Sequence, residues 1–183
     1  PAPIYAAQFT VKFIERKLEE YKMDFKPEFH IVNQDNHEKI QLGVFNVEFI
    51  RITHSIPDAC AIAVRTPVGT IVNTGDWRFE EDPLDGKKSD KARLKELGDE
   101  GIKLRRCDAT NCENPGRTPS EKEIVETIDE ILVRNYNRRA VISCFGSQIT
   151  RMQIVIDAVN KAHRKLVVVG RSMLSNLELA VKL

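Results

Sequence analysis

The sequence lacks a C-x2-C pair, a long apolar run and any marked excess of charge of one sign. Its 28 basic and 27 acidic side chains leave a formal charge of +1, so no global field draws nucleic acid or an anionic membrane, and any such binding must be local. Four scattered cysteines, Cys60, Cys107, Cys112 and Cys144, exclude a zinc ribbon. Three of them sit at or near the ends of apolar runs and read as reduced core cysteines. No run approaches the roughly 20 residues that span a bilayer, and nothing has the pattern of a signal peptide. The expectation is a cytoplasmic protein with no membrane partner. Pro1-Ala2-Pro3-Ile4-Tyr5 opens without a Met and reads as an internal cut in a longer chain. The 183 residues suffice for one generous domain or two small ones.

What is present reads as strands with one helix, then a second style. Phe13, Ile14, Leu18 and Tyr21 are at helical spacing, so Val11 to Tyr21 forms an amphipathic helix. Val44 to Thr53 is β-rich and runs into the polar loop Thr53-His54-Ser55-Ile56-Pro57-Asp58. Ala59–Thr66 and Thr70–Thr74 flank Pro67-Val68-Gly69 as a hairpin. With Thr66 roughly opposite Thr70, Asp76 returns beside about Cys60, and His54 lies just across the short loop. The charged stretch Lys87 to Glu100 reads as a surface helix or loop.

In the second half, Thr118 caps a helix with Pro119 at its first position, and Ile124, Ile128, Ile131 and Leu132 form its buried stripe. Ala140–Phe145 and Leu166–Val169 read as strands around a helix, Ile149–His163, a rhythm that predicts a parallel α/β sheet. Ligands bind at the carboxyl ends of such strands. With Ile102–Cys107 as a further strand, that edge carries Asp108, Gly146-Ser147-Gln148 and Gly170-Arg171-Ser172. The half-basic run Ile102 to Cys107 is either an edge strand or a polar face that meets a partner.

Taken alone, His54 reads as a hydrogen-bonded residue and Asp76 as a turn residue. Together at one rim they read as two metal ligands, short of the three or more protein ligands that a catalytic zinc site needs. His30, His37 and His163 have no second ligand nearby and read as solvated. Gly146-Ser147-Gln148 before a helix suits a phosphate, with Arg151 and Arg171 placed to add charge-assisted contacts.

Several strings in order resemble one family. They are Phe49-Ile50-Arg51-Ile52-Thr53-His54-Ser55-Ile56-Pro57-Asp58, Thr66-Pro67-Val68-Gly69-Thr70, Thr74-Gly75-Asp76-Trp77, Cys107-Asp108-Ala109-Thr110-Asn111, Thr118-Pro119-Ser120-Glu121, Phe145-Gly146-Ser147-Gln148-Ile149-Thr150-Arg151-Met152-Gln153 and Gly170-Arg171-Ser172-Met173. The combination, running from Pro1 to Leu183, resembles the RNase J family, metallo-β-lactamase-fold nucleases with an inserted β-CASP domain. The resemblance implies an α/β (α+β) chain: part of a lactamase-like αββα sandwich over residues 1–105, then the start of a parallel α/β β-CASP domain over 106–183.

It also implies roles. His54 matches a metal-ligating histidine, Asp76 an aspartate bridging two metal ions, and Asp108 an acidic residue that helps organise the catalytic site. Ser147, Gln148 and Arg151 match a segment lining the path of RNA and its terminal phosphate. The implied activity is hydrolysis of RNA, exonucleolytic from a 5′-monophosphorylated end and endonucleolytic, with two zinc ions, or manganese or magnesium, activating a water. The alternatives are a related hydrolase acting on DNA or a small ester, and a non-catalytic RNA-binding module. The family's His-x-His-x-Asp-His string is absent and is expected just before Pro1. Ala109 and Gln148 stand where a serine and an asparagine or histidine are expected. The isolated chain is accordingly expected to be inactive, and self-association of the parent protein stays open.

Overall fold

In the computed structural model, which describes residues 2–182, the chain is mixed α/β and forms two compact units. One comprises Pro1–His54, Asp58–Phe79 and Lys88–Asn114; the other comprises Ser55–Pro57, Glu80–Lys87 and Pro115–Leu183.

The first unit begins with strand β1 (Ile4–Ala6), helix α1 (Gln8–Glu20) and strand β2 (Phe29–Ile31), with β1 and β2 parallel. The helix lies where the spacing predicts, but its buried residues are Phe9 and Val11, and Tyr21 is exposed. There follow β3 (Lys39–Leu42), β4 (Phe45–Arg51), β5 (Cys60–Thr66), β6 (Gly69–Asn73), α2 (Lys91–Glu100) and β7 (Leu104–Arg106). These strands make one sheet in sequence order, antiparallel from β3 to β6, with β7 added parallel to β6.

The hairpin forms, with a register one residue from expectation: Thr66 pairs with Gly69, not Thr70. The turn is the two residues Pro67-Val68. The Thr66 hydroxyl donates to the Gly69 carbonyl and accepts from the Val68 N–H, which closes it tightly. Continued past its last pair, Ile62↔Asn73, this register sets Asp76 opposite Ala59, one residue from the expected Cys60. The half-basic β7 resolves as the sheet's edge strand, with all three residues exposed. The expected core cysteines are not core: Cys60, Cys107 and Cys144 are half-buried and Cys112 is exposed, all as free thiols. Burial, with Asp58 beside it, pushes the Cys60 thiol up to about 11.

Helix α2 docks by one buried apolar residue, Leu97, and by charge. The fully buried Glu48 of β4 accepts from Arg93 Nε at 2.6 Å and Arg65 Nη1 at 2.6 Å. Both arginines also bond Glu100 at 3.1 Å.

In the second unit, α3 (Glu121–Arg134), α4 (Ile149–Lys161) and α5 (Arg171–Lys182) follow. The capping residue of α3 is Ser120, two residues beyond the expected Thr118. Its side chain and that of Glu123 form a reciprocal capping box. Ile128 and Leu132 are buried, whereas Ile131 is exposed. Residues 140–145 and 166–169 carry no strand hydrogen bonding, so the parallel sheet expected there is not formed among the described residues. Val141, Phe145, Val167 and Val169 are 76–89% exposed. The apolar side of α4 (Ile154, Val155, Ala158, Val159) packs on Ile128 and Leu132 of α3. That helix-on-helix core meets the need for burial that a sheet would otherwise serve. The expected common sheet edge therefore dissolves, because β7 belongs to the first unit's sheet.

Candidate functional site

Three of the sequence-selected residues gather at one rim of the first unit, and three features of the backbone put them there. Strands β6 and β7 are parallel neighbours with Asn73 opposite Arg106. Thr74 N–H continues the pairing by donating to the Arg106 carbonyl at 3.0 Å. Asp76 and Asp108 thus leave adjacent parallel strands at their carboxyl ends, where α/β sheets characteristically present ligands. Gly75, between β6 and Asp76, takes φ +61, a turn that a side chain disfavours.

His54 arrives by a different route. The loop between β4 and β5 is pinched shut by Ile52 N–H donating to the Ala59 carbonyl at 3.1 Å. Just inside it, Thr53 forms an isolated antiparallel bridge with Arg78. Its carbonyl accepts from Arg78 N–H at 3.0 Å, and its hydroxyl donates to the Arg78 carbonyl. His54 is the next residue after Thr53, and Asp76 lies just before Arg78. Their running in opposite senses through the bridge carries both to one end of it. This bridge adds to the β5–β6 hairpin in bringing their two segments side by side.

Asp108 is tied to the same place. Trp77 Nε1–H donates to its backbone carbonyl at 3.3 Å, and Trp77 stands edge-on to Phe79 with ring centroids 4.7 Å apart. The Asp108 carboxyl is held below the usual carboxylate value, chiefly by the Thr110 hydroxyl and then by the Thr110 N–H at 2.9 Å, with the charge of His54 adding to them. Asp76 is exposed, and His54 and Asp108 are half-buried.

By donor type, one imidazole and two carboxylates suit a zinc-class cation. By number they fall short of a site: among the described residues, no three His, Cys, Asp or Glu side chains come together as a group that could hold a metal ion. His37, read from sequence as solvated, has a partner: its Nε2 lies 2.6 Å from Asp90 Oδ2, the N-cap of α2. Ser89 also escaped the sequence reading. It is buried and bonds to Thr53, a contact across 36 residues that no local pattern announces.

The second unit holds the other predicted group. Ser147 is exposed and Gln148 half-buried at the start of α4, without a side-chain cap. Gly146 approaches α5 so closely that a Cβ would lie 3.3 Å from Met173 N, and its carbonyl accepts from the buried Asn176 at 2.6 Å. Arg151 is not an open cation: its Nε and Nη2 fork onto the Glu121 carboxylate at 3.0 and 3.1 Å.

Among the described residues, no helix is long and apolar enough to cross a membrane. The model of the ribonuclease J β-CASP domain matches residues 137–183. Ribonuclease J of Thermus thermophilus is 42% identical over 185 residues, taking in 100% of this chain and 32% of that protein. Ribonuclease J of Mycolicibacterium smegmatis is 38% identical over 181 residues, 99% of this chain and 32% of that one. A crystal structure of a protein of unknown function from Enterococcus faecalis V583 shares the fold, with a TM-score of 0.67 at 19% identity over 99% of this chain and 44% of that one. The chain spans about a third of the length of these two curated relatives. Along its whole length the chain is similar to proteins of the ribonuclease J family, and the match to that family's β-CASP domain falls in its last part.

Proposed function

We propose that these residues are part of a metal-dependent ribonuclease that hydrolyses phosphodiester bonds in RNA, both from a 5′-monophosphorylated end and internally, in the cytoplasm. The observation that carries the reading is the convergence of His54, Asp76 and Asp108 at the carboxyl ends of β6 and β7. His54 and Asp76 would each supply a ligand to a pair of zinc ions, or of manganese or magnesium, with the remaining ligands coming from elsewhere in the longer protein. Such a pair supplies an activated water and neutralises charge on the phosphate. Asp108, whose carboxyl the Thr110 bonds hold below its usual value, would orient the ligands around it. Residues 1–105 would be the lactamase-like part and 106–183 the β-CASP part.

Ser147 and Gln148 would line the RNA path from the start of α4. Arg151 would support that path through Glu121, since its fork is already engaged.

The test is cleavage by the full-length protein of 5′-monophosphorylated RNA, set against DNA and small esters. His54→Ala and Asp76→Ala should each abolish turnover and reduce bound zinc. Full RNA cleavage by either variant, or a preference for DNA or esters over RNA, overturns the reading.

A further inference from the structure

We propose that Ser89, remote in sequence from the metal-ligand candidates, is a positioning residue for His54 and Asp76. The inference rests on the metal-ligand reading of that pair and adds how the pair is held.

The hydrogen bonds around Thr53 have one consistent direction. Thr53 N–H donates to Ser89 Oγ at 2.8 Å. The Thr53 hydroxyl donates to the Arg78 carbonyl, which can only accept. Its proton is thereby used, so the 2.9 Å contact between the Thr53 and Ser89 hydroxyls must have Ser89 as donor. Arg78 N–H returns to the Thr53 carbonyl at 3.0 Å. Ser89 thus both accepts from and donates to Thr53, and the chain of bonds ends on Arg78, two residues beyond Asp76. Hydrogen bonds linked in this way polarise one another and lock orientation more firmly than isolated ones.

Ser89 is itself fixed. It is 6% exposed, and the next residue, Asp90, donates its N–H to the Arg51 carbonyl at 2.9 Å and caps α2. Helix α2 is in turn anchored by Leu97 and by the Arg93–Glu48 pair. The hydroxyl therefore transmits a rigid helix to the backbone immediately before His54. It touches neither ligand side chain and acts only through Thr53.

In the full-length protein, zinc affinity measured by competition with a chromogenic chelator is the direct readout. Ser89→Ala should weaken zinc binding by tenfold or more, the size typical of outer partners of metal ligands, and speed hydrogen exchange at the Thr53 amide. Ser89→Thr, which keeps the hydroxyl, should restore both. Thr53→Val, which keeps the amide but breaks the relay to Arg78, should weaken zinc binding by itself and serves as the second probe should Ser89→Ala fail to fold.

Wild-type zinc affinity in Ser89→Ala, beside lost affinity in His54→Ala, overturns this inference and leaves the metal-ligand reading standing. Undiminished zinc affinity in His54→Ala overturns both. A lowered melting temperature in Ser89→Ala with zinc affinity intact makes Ser89 structural only and also overturns it.

Discussion

Arg151 and Glu121 form a two-pronged ion pair between the first turns of α4 and α3, with both side chains largely out of water. A planar guanidinium matches a carboxylate in this way where a lysine cannot. Arg151→Ala should therefore cost about 2 kcal/mol, less than the roughly 3–5 kcal/mol of a fully buried pair because the arginine is partly exposed. Arg151→Lys should recover only a fraction. Denaturant unfolding checks this, and a loss below about 0.5 kcal/mol for Arg151→Ala would show the pair to be incidental.

The start of α3 gives a paired comparison. Ser120 Oγ accepts from Lys122 N–H at 3.2 Å and donates to the buried Glu80 carboxylate at 2.9 Å. Ser120→Ala removes the cap and should destabilise by about 1 kcal/mol or more. Thr118→Ala lies outside the capping box and should stay within about 0.5 kcal/mol. Hydrogen exchange in the first turn of α3 distinguishes them directly.

Acid sensitivity should centre on Glu48. Burial by itself would raise its pKa, but hydrogen bonds from Arg93 and Arg65 outweigh that and bring it down to about 2 from 4.5. A depressed carboxylate contributes stability that is fully present above its unfolded value and fades as pH falls through the folded one. The loss should therefore run from about pH 4.5 down to about pH 2. Glu48→Gln should be less stable at neutral pH and show a flatter stability profile across that window, as measured by thermal melts at stepped pH.

Gly69 is constrained twice over. Its φ is +138, and an added Cβ would stand 2.9 Å from Lys103 Cδ and 3.0 Å from Lys103 Cβ. Gly69→Ala should lose about 1–2 kcal/mol, with the β5–β6 hairpin and the β6–β7 pairing exchanging faster. An alanine variant as stable as the parent would mean that the turn relaxes freely.

Local chemistry was legible in the sequence where neighbouring residues determine it. The Phe13–Leu18 spacing announced α1, and the β-prone runs around Pro67-Val68-Gly69 announced the hairpin. Its register was not legible, because choosing between a two- and a three-residue turn depends on how one Thr66 hydroxyl bonds. The apolar segments at 140–145 and 166–169 have strand composition, yet composition cannot say whether a ladder partner is at hand. At the site, His54, Asp76 and Asp108 were nameable from motif. What ties their segments together beyond the hairpin was not: the Thr53–Arg78 bridge, the Ser89 hydroxyl and the Trp77 indole are contacts across 25 to 36 residues. None leaves a periodic trace.

The indole of Trp77 has a practical consequence. It is the chain's sole tryptophan, and it sits between Asp76 and Phe79 with its N–H on the Asp108 carbonyl. A single fluorophore thus stands on the segment that runs from Asp76 and is tied to the backbone of Asp108. Excitation at the red edge of protein absorbance reads that segment alone in this stretch of chain, without a label. Zinc titration should shift or quench its emission, and Trp77→Phe should leave the ring packing while darkening the signal.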